Sequence, residues 1–185
     1  ELGRGTGARR LTIHPARPNV RLPMRTTSSP PLRFVLATAL TLSAFACGEV
    51  KRPDGGEGLL PVGAKAPDLE GRARGGKTLR LSAADDKIKV VYFYPKDGTP
   101  GCTKEACAFR DAYTRFEKAN VVVFGVSRDS QESHGAFLAK HDLPFYLTAD
   151  EAGTVVKAYG VGSTLGMPSR VTFVVGRDNK IKKVF

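Results

Sequence analysis

The chain has 185 residues, of which 41% are hydrophobic and 25% charged, a balance that suits one globular domain and excludes a disordered or fibrous protein. Its net charge of +11 would ordinarily suggest nucleic acid or acidic membrane, but residues 1–46 hold seven basic side chains against one acidic, and residues 47–185 hold 22 against 17. Three cysteines are too few for a disulfide scaffold, and their odd number requires a separate explanation for at least one.

Residues 1–23 begin without Met, show no apolar period and are rich in Arg, Gly and Pro. They are expected to be a disordered, non-native upstream extension, and no nucleic-acid partner is expected from their charge. Met24 reads as a fresh start: Arg25 and Arg33 precede an apolar run over 34–46, and Cys47 follows. This is a signal-peptide layout, and the run is too short for the roughly 20 residues of a spanning helix. Ala44 and Ala46 before Cys47 resemble the lipobox of bacterial lipoproteins, although Phe45 departs from the small residue usual there. That resemblance implies lipidation of Cys47, a membrane anchor and a periplasm-facing position in the cell envelope. An unused signal would leave the protein cytoplasmic.

Residues 47–58, with four Gly and mixed charge, are expected to form a flexible tether, and a folded domain is expected over 59–185. Two short runs around Gly75 and Gly76 suggest a hairpin. The β-branched and aromatic run over 88–95 has the pattern of a strand buried on both faces, and residues 120–127 repeat it. Between them Ala106, Phe109, Ala112, Tyr113 and Phe116, at spacings of three and four, predict one helix from Pro100 to about Lys118. Further helices are expected over 130–141 and near 153–160, and further strands over 145–150 and 170–176. Alternation of strands and helices predicts an α/β fold with a central, mostly parallel sheet flanked by helices.

The stretch from Tyr94 to Cys107 joins a buried strand to a helix, where α/β folds place their sites. With Thr99 as N-cap and Pro100 opening the helix, Cys102 takes the third helical position. A thiolate there is favoured by the helix dipole and by free backbone N–H groups, the condition for a reactive cysteine. Cys107 lies five residues on, turned about 140° away with its Cα roughly 8.6 Å distant in an intact helix. A disulfide between them would need the first turns to unwind, because bridged Cα atoms lie within about 7 Å. The spacing is not Cys-x-x-Cys, and no second Cys or His pair completes a zinc site. Two unrelated buried cysteines remain an alternative at this point.

The segment FYPKDGTPGCTKEACAFRD resembles the active-site segment of the peroxiredoxins, in particular the bacterioferritin comigratory protein and peroxiredoxin Q group. The likeness runs on through residues 123–161 and 169–181, and covers about residues 60–183. It implies a thioredoxin-like fold and reduction of hydrogen peroxide and organic hydroperoxides without metal or other cofactor. It also implies recycling by thioredoxin or a similar dithiol, and the protein is expected to be a monomer. By the same resemblance, Cys102 corresponds to the peroxidatic cysteine and Cys107 to the resolving cysteine. Thr99 corresponds to the hydroxyl that orients peroxide, Pro95 to the residue that shields the sulfur, and Arg170 to the arginine that stabilises thiolate and transition state. A thioredoxin-like thiol-disulfide oxidoreductase is the alternative.

Tyr94, Lys96 and Glu105 are read as structural or solvated. His134 and His141, seven apart on a helical stretch, are read as solvated or capping. Family members usually continue into a C-terminal helix, which is expected to be missing here because the sequence ends at Phe185 in a strand-like segment.

Overall fold

The computed structural model describes residues 50–185. The readings of residues 1–23, of the signal segment and of Cys47 lie outside the described residues.

The hairpin expected around Gly75 and Gly76 pairs β1 (Glu70–Arg72) with β2 (Thr78–Arg80). The buried runs become β3 (Ile88–Phe93) and β4 (Val121–Ser127), followed by β5 (Tyr146–Ala149). A short hairpin, β6 (Ser163–Thr164) with β7 (Met167–Pro168), precedes β8 (Val171–Val175) and β9 (Ile181–Val184). The helices are α1 (Pro100–Asp111), α2 (Tyr113–Lys118), α3 (Gln131–Lys140) and α4 (Thr154–Ala158).

Seven strands form one sheet in the order β2-β1-β5-β4-β3-β8-β9. Only β5 with β4 and β4 with β3 are parallel, and the other four pairings are antiparallel. The expectation of a mostly parallel sheet is therefore wrong, although the α/β, thioredoxin-like class holds. Helical crossovers give the parallel pairs of β3 with β4 and β4 with β5, whereas β8, reached from β5 through α4, returns antiparallel to β3, and the hairpins at both edges are antiparallel as well. β8 misleads because, apart from Thr172, it is apolar, as a parallel interior strand would be, yet it pairs antiparallel with β3.

The sheet separates two apolar layers with the two-residue period of a strand. Val91 and Phe93 join Tyr159, Phe173 and Val156 on one face. Val90, Tyr92 and Tyr94 meet Ala106, Phe137, Leu138 and Phe145 on the other, under α1, α2 and α3. Gly125 in β4 is fixed by this packing: a Cβ there would come within 2.6 Å of the Tyr92 ring and 2.7 Å of Leu147.

The helix expected from Pro100 to Lys118 is broken at Ala112 (φ −89°, ψ −2°). Phe109, Tyr113 and Phe116 still reach the same apolar layer across the break.

The segment expected to be a flexible tether folds, from Val50 on, into a loop closed around Arg52. The Arg52 Nη1 donates to the carbonyls of Glu57 and Gly58 at 2.8 Å and Leu59 at 3.3 Å. Its Nε donates to Asp54, and Gly58 N–H donates to Val50 O. The loop sits against Gly160 (φ 68°), where a Cβ would lie 1.8 Å from the Gly58 carbonyl oxygen.

Candidate active site

The loops that follow β3 and β4 lie at the same end of the sheet, because those strands are parallel. β8 runs the other way, so its first residues return to that end. The topology therefore brings Pro95–Thr99, Arg128–Ser130 and Arg170 together.

Thr99 takes the extended backbone of an N-cap (φ −71°, ψ 147°), and Pro100 opens α1. Cys102 is the third helical residue, with 1% of its surface exposed. The Thr99 hydroxyl does not cap the helix. It donates to the Lys96 carbonyl at 3.1 Å, so its oxygen keeps lone pairs free to accept. Arg170 Nη2 donates to Cys102 Sγ at 3.0 Å. Gly101 permits that approach, since a Cβ on it would stand 3.0 Å from the same nitrogen. Pro95, half-buried, lines a cleft beside Lys96 and Arg128.

Cys107 is half-buried on the same helix, and both it and Cys102 are free thiols. Four of the five proposed site residues, Pro95, Thr99, Cys102 and Arg170, thus gather at one end of the sheet, with Cys107 on the adjoining stretch of α1. Phe109, two residues beyond Cys107, stacks on Tyr92 with ring centroids 4.6 Å apart.

Two groups were missed from sequence. Glu105, read as structural or solvated, bonds through Oε2 to Arg170 Nη1, so the guanidinium is shared between carboxylate and sulfur. Burial pushes the Glu105 carboxyl above its ordinary range, and Arg170 only partly offsets this. Its position one helical turn beyond Cys102 was the available signal.

The second is a polar cluster beneath the loop. His134, read as solvated or capping, is fully buried. Its Nδ1 lies 2.8 Å from Asp97 Oδ2, and its Nε2 lies 3.1 Å from the Thr148 carbonyl, which only accepts, so Nε2 carries a proton. Ser133 Oγ and Tyr94 OH also donate to Asp97, and Asp97 N–H donates to Asp129. Burial alone would raise the Asp97 carboxyl, but the His134, Tyr94 and Ser133 hydrogen bonds outweigh it and hold the group below its usual range. The cluster ties the loop to α3 and β5. Sequence offered no signal, because the partners are 36 and 37 residues apart.

Residues 62–184 match the model of the AhpC/TSA family. The chain is 43% identical over 131 residues to peroxiredoxin Bcp of Bacillus subtilis, a match covering 67% of this chain and 83% of the relative. The chain is a peroxiredoxin of the bacterioferritin comigratory protein and peroxiredoxin Q group. This peroxiredoxin is also 38% identical over 162 residues to the chloroplastic peroxiredoxin Q of Oryza sativa subsp. japonica, covering 86% of the chain and 70% of the relative. The crystal structure of peroxidoxin BcpB from Mycobacterium tuberculosis superposes with a TM-score of 0.62 at 34% identity, over 68% of this chain and 85% of that one. Family membership establishes a thiol-based peroxidase activity in general terms.

Proposed function

We propose that this peroxiredoxin reduces hydrogen peroxide and organic hydroperoxides through Cys102 and is returned to its dithiol form by thioredoxin or a similar reductant. The observation that carries the reading is the buried Cys102 sulfur at the third residue of α1, 3.0 Å from Arg170 Nη2.

The Cys102 thiolate attacks one peroxide oxygen. The S–O bond forms as the O–O bond breaks, and the leaving oxygen departs as alcohol or water once protonated. Arg170 offsets the charge on the sulfur and on the leaving oxygen, and Glu105 holds the guanidinium in place. The Thr99 oxygen accepts from the peroxide O–H, while Pro95, which lacks an N–H, covers one side of the sulfur. The Cys107 thiol then condenses with the sulfenic acid, forming an S–S bond and releasing water. An external dithiol reduces that disulfide and is itself oxidised.

Stopped-flow peroxide consumption tests this reading. Cys102→Ser is expected to lose turnover, whereas Cys107→Ser is expected to complete one turnover, leave a dimedone-reactive sulfenic acid and fail to recycle. Equal, full activity of both variants would overturn the assignment.

The sequence also supports an envelope location with acylated Cys47 as anchor. Expressed from Met24 in a bacterium, the wild type is expected to fractionate with membranes and incorporate labelled fatty acid, and Cys47→Ala to do neither. A soluble, unlabelled wild-type product would rule the anchor out.

A further inference from the structure

The β6–β7 hairpin takes no part in the chemistry above, yet it holds Leu165 at its tip with 92% of its surface exposed, and Met167 with 39%. Leu165 (φ 51°) and Gly166 (φ 77°) both lie in the left-handed region. Such two-residue turns favour Asn, Asp or Gly at both positions, so a leucine here combines backbone strain with an exposed apolar side chain. Neither choice helps the domain fold.

The hairpin is held where it is by Arg128, whose Nη1 donates to the Gly166 carbonyl at 3.3 Å and whose Nη2 donates to the Glu151 carbonyl at 2.9 Å. On one side of Arg128 a cleft of about 270 Å³ runs past Leu165 and Met167 to Lys96 and Pro95. On the other side a cleft of about 260 Å³ reaches Lys157 and Val50. Ser163 of β6 lines that second cleft with Val50, so the chain enters the described domain beside the hairpin. The Arg52 loop fixes that entry point. Cys47 is three residues upstream of Val50, a reach of about 10 Å at most. Exposed Lys96, Arg128 and Lys157 give this face cations beside the carboxylates of Glu151 and Asp129. Asp129 is half-buried and accepts from Ser127 Oγ and Asp97 N–H.

We infer that this face is a lipid-surface contact. Leu165 and Met167 enter the interfacial layer of a bilayer containing anionic lipid, and the three cations meet its headgroups. The active-site loop at Pro95 and Lys96 then lies close to hydroperoxides carried by membrane lipids. This last step rests on the peroxidase reading above and keeps its balance: the lipid O–O bond breaks, one oxygen passes to the Cys102 sulfur, and the lipid leaves as an alcohol. Firm attachment rests on acylated Cys47.

The sequence contains no tryptophan, so Leu165→Trp introduces a single reporter. The comparison is Lys77→Trp, in the β1–β2 turn. That turn lies at the end of the sheet away from Pro95, because β1 is antiparallel to β5 and Arg74 pairs with Asp142 ahead of β5. Full-length protein purified from bacterial membranes is added to phosphatidylcholine vesicles containing phosphatidylglycerol, with and without brominated phosphatidylcholine. Indole emission of the Leu165→Trp protein is expected to shift to the blue and to be quenched by the brominated lipid, and that of the Lys77→Trp protein to stay unchanged. In parallel, Leu165→Asp is expected to lower turnover of vesicle-borne phosphatidylcholine hydroperoxide, relative to turnover of hydrogen peroxide, by roughly tenfold. Equal quenching in both proteins, no quenching in the Leu165→Trp protein, or an unchanged turnover ratio would each overturn the inference. Failure of the wild type to consume hydrogen peroxide would instead count against the peroxidase reading, and the fluorescence result is read independently of turnover.

Discussion

Arg170 holds the Cys102 sulfur with one guanidinium nitrogen and the Glu105 carboxylate with the other, so one side chain sets both the charge and the geometry around the thiol. Lysine keeps the charge but has a single donor centre and cannot serve both partners at once. Arg170→Lys is expected to lower kcat/KM for hydrogen peroxide by about ten- to a hundredfold, the worth of one charge-assisted hydrogen bond. Initial rates over a range of peroxide concentrations check it, and a loss below twofold would show that charge alone suffices.

Glu105 predicts a pH effect of definite sign. Its carboxyl is raised by burial, so the folded state binds that proton more tightly than the unfolded chain. The resulting stability is present below about pH 4.3, the ordinary glutamate value, and is lost as pH rises through the folded value. Glu105→Gln mimics the protonated form. Its stability relative to wild type is expected to improve as pH is raised from about 4 through the higher folded value, as read by urea unfolding.

Asp97 predicts the opposite sign. Its folded value is depressed, so its contribution is present above about pH 3.9 and is lost as pH falls through the lower folded value. Asp97→Asn breaks a buried pair with His134 and is expected to cost about 3 kcal/mol at pH 7. The gap from wild type should narrow below pH 3. A constant gap across pH would mean that the loss is steric.

The two thiols predict local opening. Their positions five residues apart on one helix do not suit disulfide geometry. Oxidation is expected to raise amide exchange from Thr99 to about Arg110 while β3 and β4 stay protected. Hydrogen exchange by mass spectrometry on reduced and oxidised samples reads this directly, and unchanged protection in oxidised protein would show that the pair closes without unwinding.

Gly125 predicts a purely structural loss. A Cβ there meets the Tyr92 ring at 2.6 Å and Leu147 at 2.7 Å, neither of which has room to withdraw. Gly125→Ala is expected to lower stability by about 1–3 kcal/mol without changing the urea m-value.

Local patterns were the legible part of this sequence. β3, apart from Lys89, and β4 announced themselves as apolar runs, and the Thr99-Pro100 pair marked the start of α1, because both signals reside in adjacent residues. Strand direction was not legible, since the mainly apolar composition of β8 is the same whether it runs parallel or antiparallel to β3. The break at Ala112 was hidden because Phe109, Tyr113 and Phe116 keep helical spacing across it. Cys102 could be singled out from its place in the helix, and Arg170 from family likeness. The Glu105 contact with Arg170 and the burial of His134 could not, because each depends on a partner brought near only by folding.

The break at Ala112 gives the reactive helix a boundary of its own. Because α1 and α2 are separate hydrogen-bonded units, a disturbance that begins at Cys107 can melt α1 and stop there, leaving Phe116 seated under the sheet. On the proposed cycle, the free energy needed to bring the thiols together is then that of one small cooperative unit, in which Cys102, Ala106 and Phe109 pack under the sheet, and not that of the whole domain. On that proposed cycle, recycling and global stability are uncoupled. Substitutions that tighten the sheet can raise the melting temperature without slowing turnover, while substitutions at Phe109 can change turnover with little effect on melting.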